Sequence, residues 1–199
     1  MSRPTPDLRS EELAASREEL RDAGREAREL AGGLDRRQMW WRPGPDRWSV
    51  AECLDHLVRT GDAYLEAFDG AIEDGRRRGL EAGASYRPSL VGRWLPRLLE
   101  PPPRLRVPAP LRIRPRRPGT GTGGGDDDPL ASFLALRGRF AGRLEAADGL
   151  DLGRIRLASP FFSWLRFDLG SAFRIVAAHE RRHLWQAGRV LEAEGFPTA

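Results

Sequence analysis

Apolar side chains recur at helical spacing in four stretches of this chain, and the period breaks between them. From Asp7 to Ala31, the residues Leu13, Leu20, Ala23, Ala27 and Leu30 form one stripe among Glu and Arg residues that favour helix. Gly32-Gly33 ends that stretch. The segment from Leu34 to Arg47, with two tryptophans and a Pro-Gly-Pro turn, reads as irregular. A second helix, over 49–76, opens on a capping box in which Ser49 is the cap and Glu52 follows three residues later. Trp48 and Cys53 bracket its start as a hydrophobic staple, and Val50, Leu54, Leu57, Gly61, Tyr64, Phe68 and Ile72 continue one face.

The third helix, over 129–148, has Asp128 as its cap, Pro129 in the first helical position, and a face made by Phe133, Leu136, Phe140 and Leu144. The fourth covers 169–194 and is closed by Gly195 and Pro197. Between the second and third helices, residues 80–128 read as a Pro/Gly/Arg-rich insertion that runs over the surface. Its one helical stretch, "SLVGRWLPRLLE", is expected to break at Pro96. The connection "LDLGRIRLASPFFSWLRFDLG" joins the last two helices without a convincing strand. Four helices joined by long crossings predict an all-α four-helix bundle, one domain over residues 1–199.

Composition narrows the function classes more than it alters the fold. All 33 basic residues are arginine, and the chain has neither lysine nor asparagine, which fits a bacterial genome of high GC content. A net charge of +4 is a weak field despite a pI near 10.3, because arginine's own pKa drives the latter. Arg104, Arg106, Arg112, Arg114, Arg116 and Arg117 cluster in the insertion, yet stacking aromatics are absent there and Asp126-Asp127-Asp128 follows. Nucleic acid is therefore not an expected partner. The single cysteine, Cys53, excludes an internal disulfide scaffold, and its staple position suits a core thiol better than a nucleophile. No apolar run approaches the ~20 residues of a membrane span, and the first residues lack a signal peptide's hydrophobic core. The chain reads as cytoplasmic, with no membrane partner.

Only three histidines occur in 199 residues. His179 and His183 lie four apart in "AAHERRHLWQ". At about 100° per residue both fall on the stripe of Ala172, Val176, Ala187 and Val190 that must face the core. That spacing presents two imidazole nitrogens to one metal ion, and it equally suits two hydrogen-bonded core histidines. His56 lies two turns into the second helix, at the edge of its apolar stripe, with Cys53, Thr60, Ala63 and Ala67 as small neighbours. A surface histidine would also fit that position, but with the other pair it makes a set of three that leaves coordination positions free. HERRH matches the zinc-protease pattern, but Gln186 and Arg189 stand where the extended motif needs Gly and His. Glu180 has two readings: a general base beside the histidines, or an i, i+4 partner for an arginine on a solvated face.

Two stretches resemble a known family. "WRPGPDRWSVAECLDHL" is similar to the segment leading to the first histidine of the DinB/YfiT-like superfamily, and "HERRHLWQAGRV" resembles its C-terminal histidine pair with the following glutamine. The resemblance implies a DinB-type four-helix bundle in which His56, His179 and His183 hold a divalent metal ion, zinc or nickel. It also implies a metal-dependent transferase or hydrolase acting on a small molecule. The relatives include thiol S-transferases that use bacillithiol or mycothiol. Dimerisation through helix faces is frequent in the family, which makes a homodimer an expectation. The long insertion departs from compact members and leaves the substrate open. The competing reading is a non-catalytic metal- or ligand-binding bundle.

Overall fold

The computed structural model describes residues 7–83, 86–102, 113–115 and 128–198. Its elements run α1 (Glu11–Ala31), α2 (Arg36–Trp40), α3 (Val50–Arg77), α4 (Leu90–Leu99), α5 (Pro129–Ala147), β1 (Arg156–Ala158), β2 (Arg166–Asp168) and α6 (Leu169–Leu191).

Each long helix starts where a side chain can accept its unpaired backbone N–H groups. Ser10 caps α1, three residues later than the pattern's start at Asp7. In α3 the Ser49 hydroxyl accepts from the Glu52 amide at 3.2 Å, and the Glu52 carboxylate accepts from the Ser49 amide at 2.9 Å. Asp128 caps α5 through Leu130 and Ala131, with Pro129 in the first turn, and Asp168 caps α6 through the Ser171 amide at 2.8 Å.

The four long helices form the bundle. Both α1 and α3 pack on α5 and on α6, so α1 sits diagonally from α3 and α5 from α6. Gly61 lets α3 approach α5, since a Cβ there would meet the Leu136 side chain at 2.5 Å. The interior falls into two apolar clusters. One holds Phe68, stacked on Phe173 at 4.2 Å, with Phe140 edge-on at 6.1 Å. The other gathers Ala23, Ala27, Val50, Leu54, Leu57, Phe133, Leu184 and Ala187.

Three features differ from the sequence pattern. The first connection contains the short helix α2, held by a capping box between Asp35 and Gln38. The last contains an antiparallel two-stranded hairpin, in which Leu157 faces Phe167 and both are buried. Strands of three residues are too short to show an alternation in sequence; tertiary burial of that pair supplies the pattern. Helix α4 continues through Pro96 rather than breaking there: Gly92 and Pro96 are its buried residues, and that packing offsets the hydrogen bond that Pro96 cannot donate. The rest of the expected insertion, including Arg104, Arg106, Arg112, Arg116 and Arg117, lies outside the described residues. Among the described residues, no helix is long and apolar enough to cross a membrane.

Candidate metal centre

Helix α3 carries His56 and α6 carries His179 and His183, and their packing brings His56 against His179, 123 positions away in the chain, and against His183. The ring centroids are 4.5 Å apart for His56 and His183, 5.1 Å for His56 and His179, and 4.6 Å for His179 and His183. One ligand nitrogen from each ring lies within 4.8 Å of the others.

Hydrogen bonds behind the rings decide which nitrogens face inward. His56 Nδ1–H donates to the Ile113 carbonyl at 2.6 Å, which leaves the Nε2 lone pair free. His183 Nδ1–H donates to the Gln186 side-chain oxygen at 3.0 Å, with the same consequence. The Nε2 atoms of His56 and His179 are 3.3 Å apart. Two lone pairs at that distance repel, so the contact requires either a proton on His179 Nε2 or a cation shared by the rings.

Burial sets the charge state. His56 is 2% exposed and His183 is 8% exposed, whereas His179 keeps a partly exposed surface. Desolvation pushes the His179 pKa down to about 3, assisted by the neighbouring His56 and by Arg182. The same burial drives His183 well below its ordinary value, and at His56 it outweighs the hydrogen bond to Ile113. All three imidazoles are thus neutral at pH 7, the form that binds metal.

The start of α3 also builds one wall. Arg42 grips the buried Glu52 carboxylate with Nε at 2.7 Å and Nη2 at 2.5 Å, and Glu52 in turn holds Ser49. This fixes Trp48, whose ring stacks on His183 at 5.6 Å and leans on His56 at 4.9 Å. His56, expected at the stripe's edge, is therefore buried under Trp48 and Ile113.

Glu180 is buried rather than on a solvated face. Its carboxylate pairs with Arg137 from α5, reaching across the bundle, and not with an arginine of its own helix. Burial raises its pKa from the usual carboxylate value, and Arg137 opposes that rise. Cys53 is fully buried and its thiol is pushed far up by desolvation, which makes it unreactive. Sequence reasoning did not single out Arg137 or the Ile113 carbonyl. Gln186, at i+3 from His183, has a spacing that could have marked it as the ring's support.

The donor set suits a divalent ion of borderline softness. Three neutral nitrogens converge, at least two of them oriented from behind, and His179 keeps a partly exposed edge.

A family model described as the DinB superfamily matches residues 19–187. No curated protein sequence matches the chain. Among solved structures, YfiT from Bacillus subtilis, described as a probable metal-dependent hydrolase with an unusual four-helix bundle topology, aligns with a TM-score of 0.59. The alignment covers 98% of this chain and 95% of that one at 14% identity, a likeness of fold.

Proposed function

The chain belongs to the DinB superfamily, and from that premise we propose that it is a divalent-metal-dependent hydrolase or transferase acting on a small molecule. His56, His179 and His183 hold the ion, zinc or nickel. The observation that carries this reading is the convergence of three histidine nitrogens within 4.8 Å, with His56 and His183 held from behind by acceptors. When bound there, a divalent ion supplies Lewis acidity that lets a water or a thiol lose its proton near neutral pH. Ile113 and Gln186 keep two Nε2 lone pairs aimed inward, Trp48 shields one side from water, and the exposed edge of His179 is the side from which substrate enters. A low-molecular-weight thiol of the bacillithiol or mycothiol type is the proposed co-substrate.

One observation favours a second reading, a bundle that binds metal without catalysis. Arg137 engages the Glu180 carboxylate, so Glu180 is not free to act as a base.

Metal analysis of protein purified without a histidine tag should find about one divalent ion per chain, lost in His179→Ala. No ion in the wild type, or an ion retained by the variant, overturns the metal reading. With metal present, incubation with bacillithiol or mycothiol and an electrophile should consume thiol faster than after chelation. Equal rates favour the binding bundle.

A further inference from the structure

Helix α4 is apolar on both of its sides. Its inner side is firmly docked: Gly92 lies so close to α6 that a Cβ would overlap the Ser171 hydroxyl, and Leu95 and Leu99 pack against the core. The Asp168 carboxylate anchors its entry by accepting from the Ser89 amide at 3.2 Å and from the Tyr86 hydroxyl at 2.5 Å. The outer side should then be polar, as on any surface helix. Instead Leu90 is 82% exposed and Trp94 62% exposed, with Val91 beside them. The connection of the hairpin that α4 packs on also exposes Trp164 and Phe162.

The charges around this face have one sign. Arg87, Arg93 and Arg97 are exposed, and no Asp or Glu occurs from Ala82 to Leu99. Ion pairs among the described residues engage none of these three arginines; Glu100, at the helix end, is taken by Arg181. A second copy docked on the same face would set arginine rows against each other with no carboxylate between them. The chain segment that follows Pro102 brings Arg104, Arg106 and Arg112, so it is no better matched. Nucleic acid would use the arginines and Trp94 but has no use for Leu90 and Val91.

We propose that the outer face of α4 docks on an anionic lipid bilayer, with Leu90, Val91 and Trp94 entering the interface and Arg87, Arg93 and Arg97 meeting lipid phosphates. An interfacial helix has this composition: aliphatic and tryptophan side chains on one arc, arginines at its border whose stems reach back to the headgroups. That no helix among the described residues is long and apolar enough to cross a membrane does not bear on such adsorption. The proposal is independent of the metal reading.

Flotation with phosphatidylcholine vesicles, with and without phosphatidylglycerol, tests it on the full-length protein. Binding should require phosphatidylglycerol and weaken with salt. Removing two arginines in Arg93→Gln/Arg97→Gln should lower the partition coefficient about 10- to 30-fold. Leu90→Ser/Trp94→Ser should abolish flotation; both sites are exposed, so circular dichroism and thermal midpoint should stay at wild-type values. Absence of flotation overturns the proposal, as does equal binding to neutral vesicles. So does a solution dimer that Leu90→Ser/Trp94→Ser dissolves, or arginine-dependent binding to an oligonucleotide without vesicle binding.

Discussion

A histidine ligand needs a defined tautomer and a fixed ring, and both come from the group behind it. For His183 that group is Gln186, 3.0 Å from Nδ1. Gln186→Ala removes the acceptor while leaving all three imidazoles in place, so divalent-metal affinity should fall about 10- to 100-fold with the fold retained. Competition with a chelator of known affinity measures this; an unchanged constant would mean that stacking on Trp48 alone orients the ring. The charge state gives a second prediction. In the unfolded chain the imidazoles titrate near 6.5, whereas in the fold burial lowers all three, His179 to about 3. Below pH 6.5 the unfolded state therefore binds more protons than the native state, and acidification favours unfolding. The metal-free protein should lose stability as pH falls through 6.5, the loss continuing towards about 3 as His179 remains neutral. Urea unfolding across that range checks the sign, and a metal-free protein that becomes more stable between pH 6.5 and 5 would contradict it.

Elements were legible in the sequence to the degree that local chemistry specifies them. The capping box of Ser49 and Glu52 and the Asp128-Pro129 start are written in adjacent residues, so α3 and α5 can be read within a residue of their ends. The pairing of Leu157 with Phe167, and the continuation of α4 through Pro96, depend on what packs against them and leave no local mark. The same holds within the site: the i, i+4 spacing of His179 and His183 is local, but the burial of His56 comes from Trp48 and from Ile113, 57 residues away. The contact between α5 and α6 is another case, since Arg137 and Glu180 lie 43 residues apart and meet between the two apolar clusters. Glu180 is buried and Arg137 largely so, and among the described residues Nε and Nη2 of Arg137 have no hydrogen-bond partner. Removing one charge strands the other: Arg137→Met or Glu180→Met alone should cost about 3–5 kcal/mol of folding stability. The double change Arg137→Met/Glu180→Met should recover most of it, because the pair's own desolvation is large. Denaturant unfolding of the four members of this cycle measures the coupling, and additive losses would show that the two side chains act independently. Metal content at the wild-type level in the double variant would assign Glu180 to the scaffold rather than to the metal.

At the scale of the whole molecule, the histidine cluster ties α3 to α6 across the end of the bundle where the small-residue cluster packs. That cluster relies on Ala23, Ala27, Ala51 and Ala187 and buries less per residue than the phenylalanine-rich half around Phe68, Phe140 and Phe173. An ion bound only by the native state adds stability by mass action, about 2.7 kcal/mol when free metal is a hundredfold above its dissociation constant. For a chain of this size each kcal/mol moves the midpoint by about 2–4 °C, so the metal-loaded protein should melt about 5–10 °C above the chelated one. The stabilisation should be carried by the thinner half: amide exchange in the first turns of α3 and the last turns of α6 should slow most on metal addition. The region around Phe68 and Phe173, already held by stacked rings, should change least. His56→Ala removes the only ligand on α3 and should abolish the thermal shift, while leaving His179 and His183 able to bind an ion weakly on α6 alone. A shift of wild-type size in His56→Ala would show that the ion does not bridge the helices, and the site would then belong to α6 rather than to the bundle.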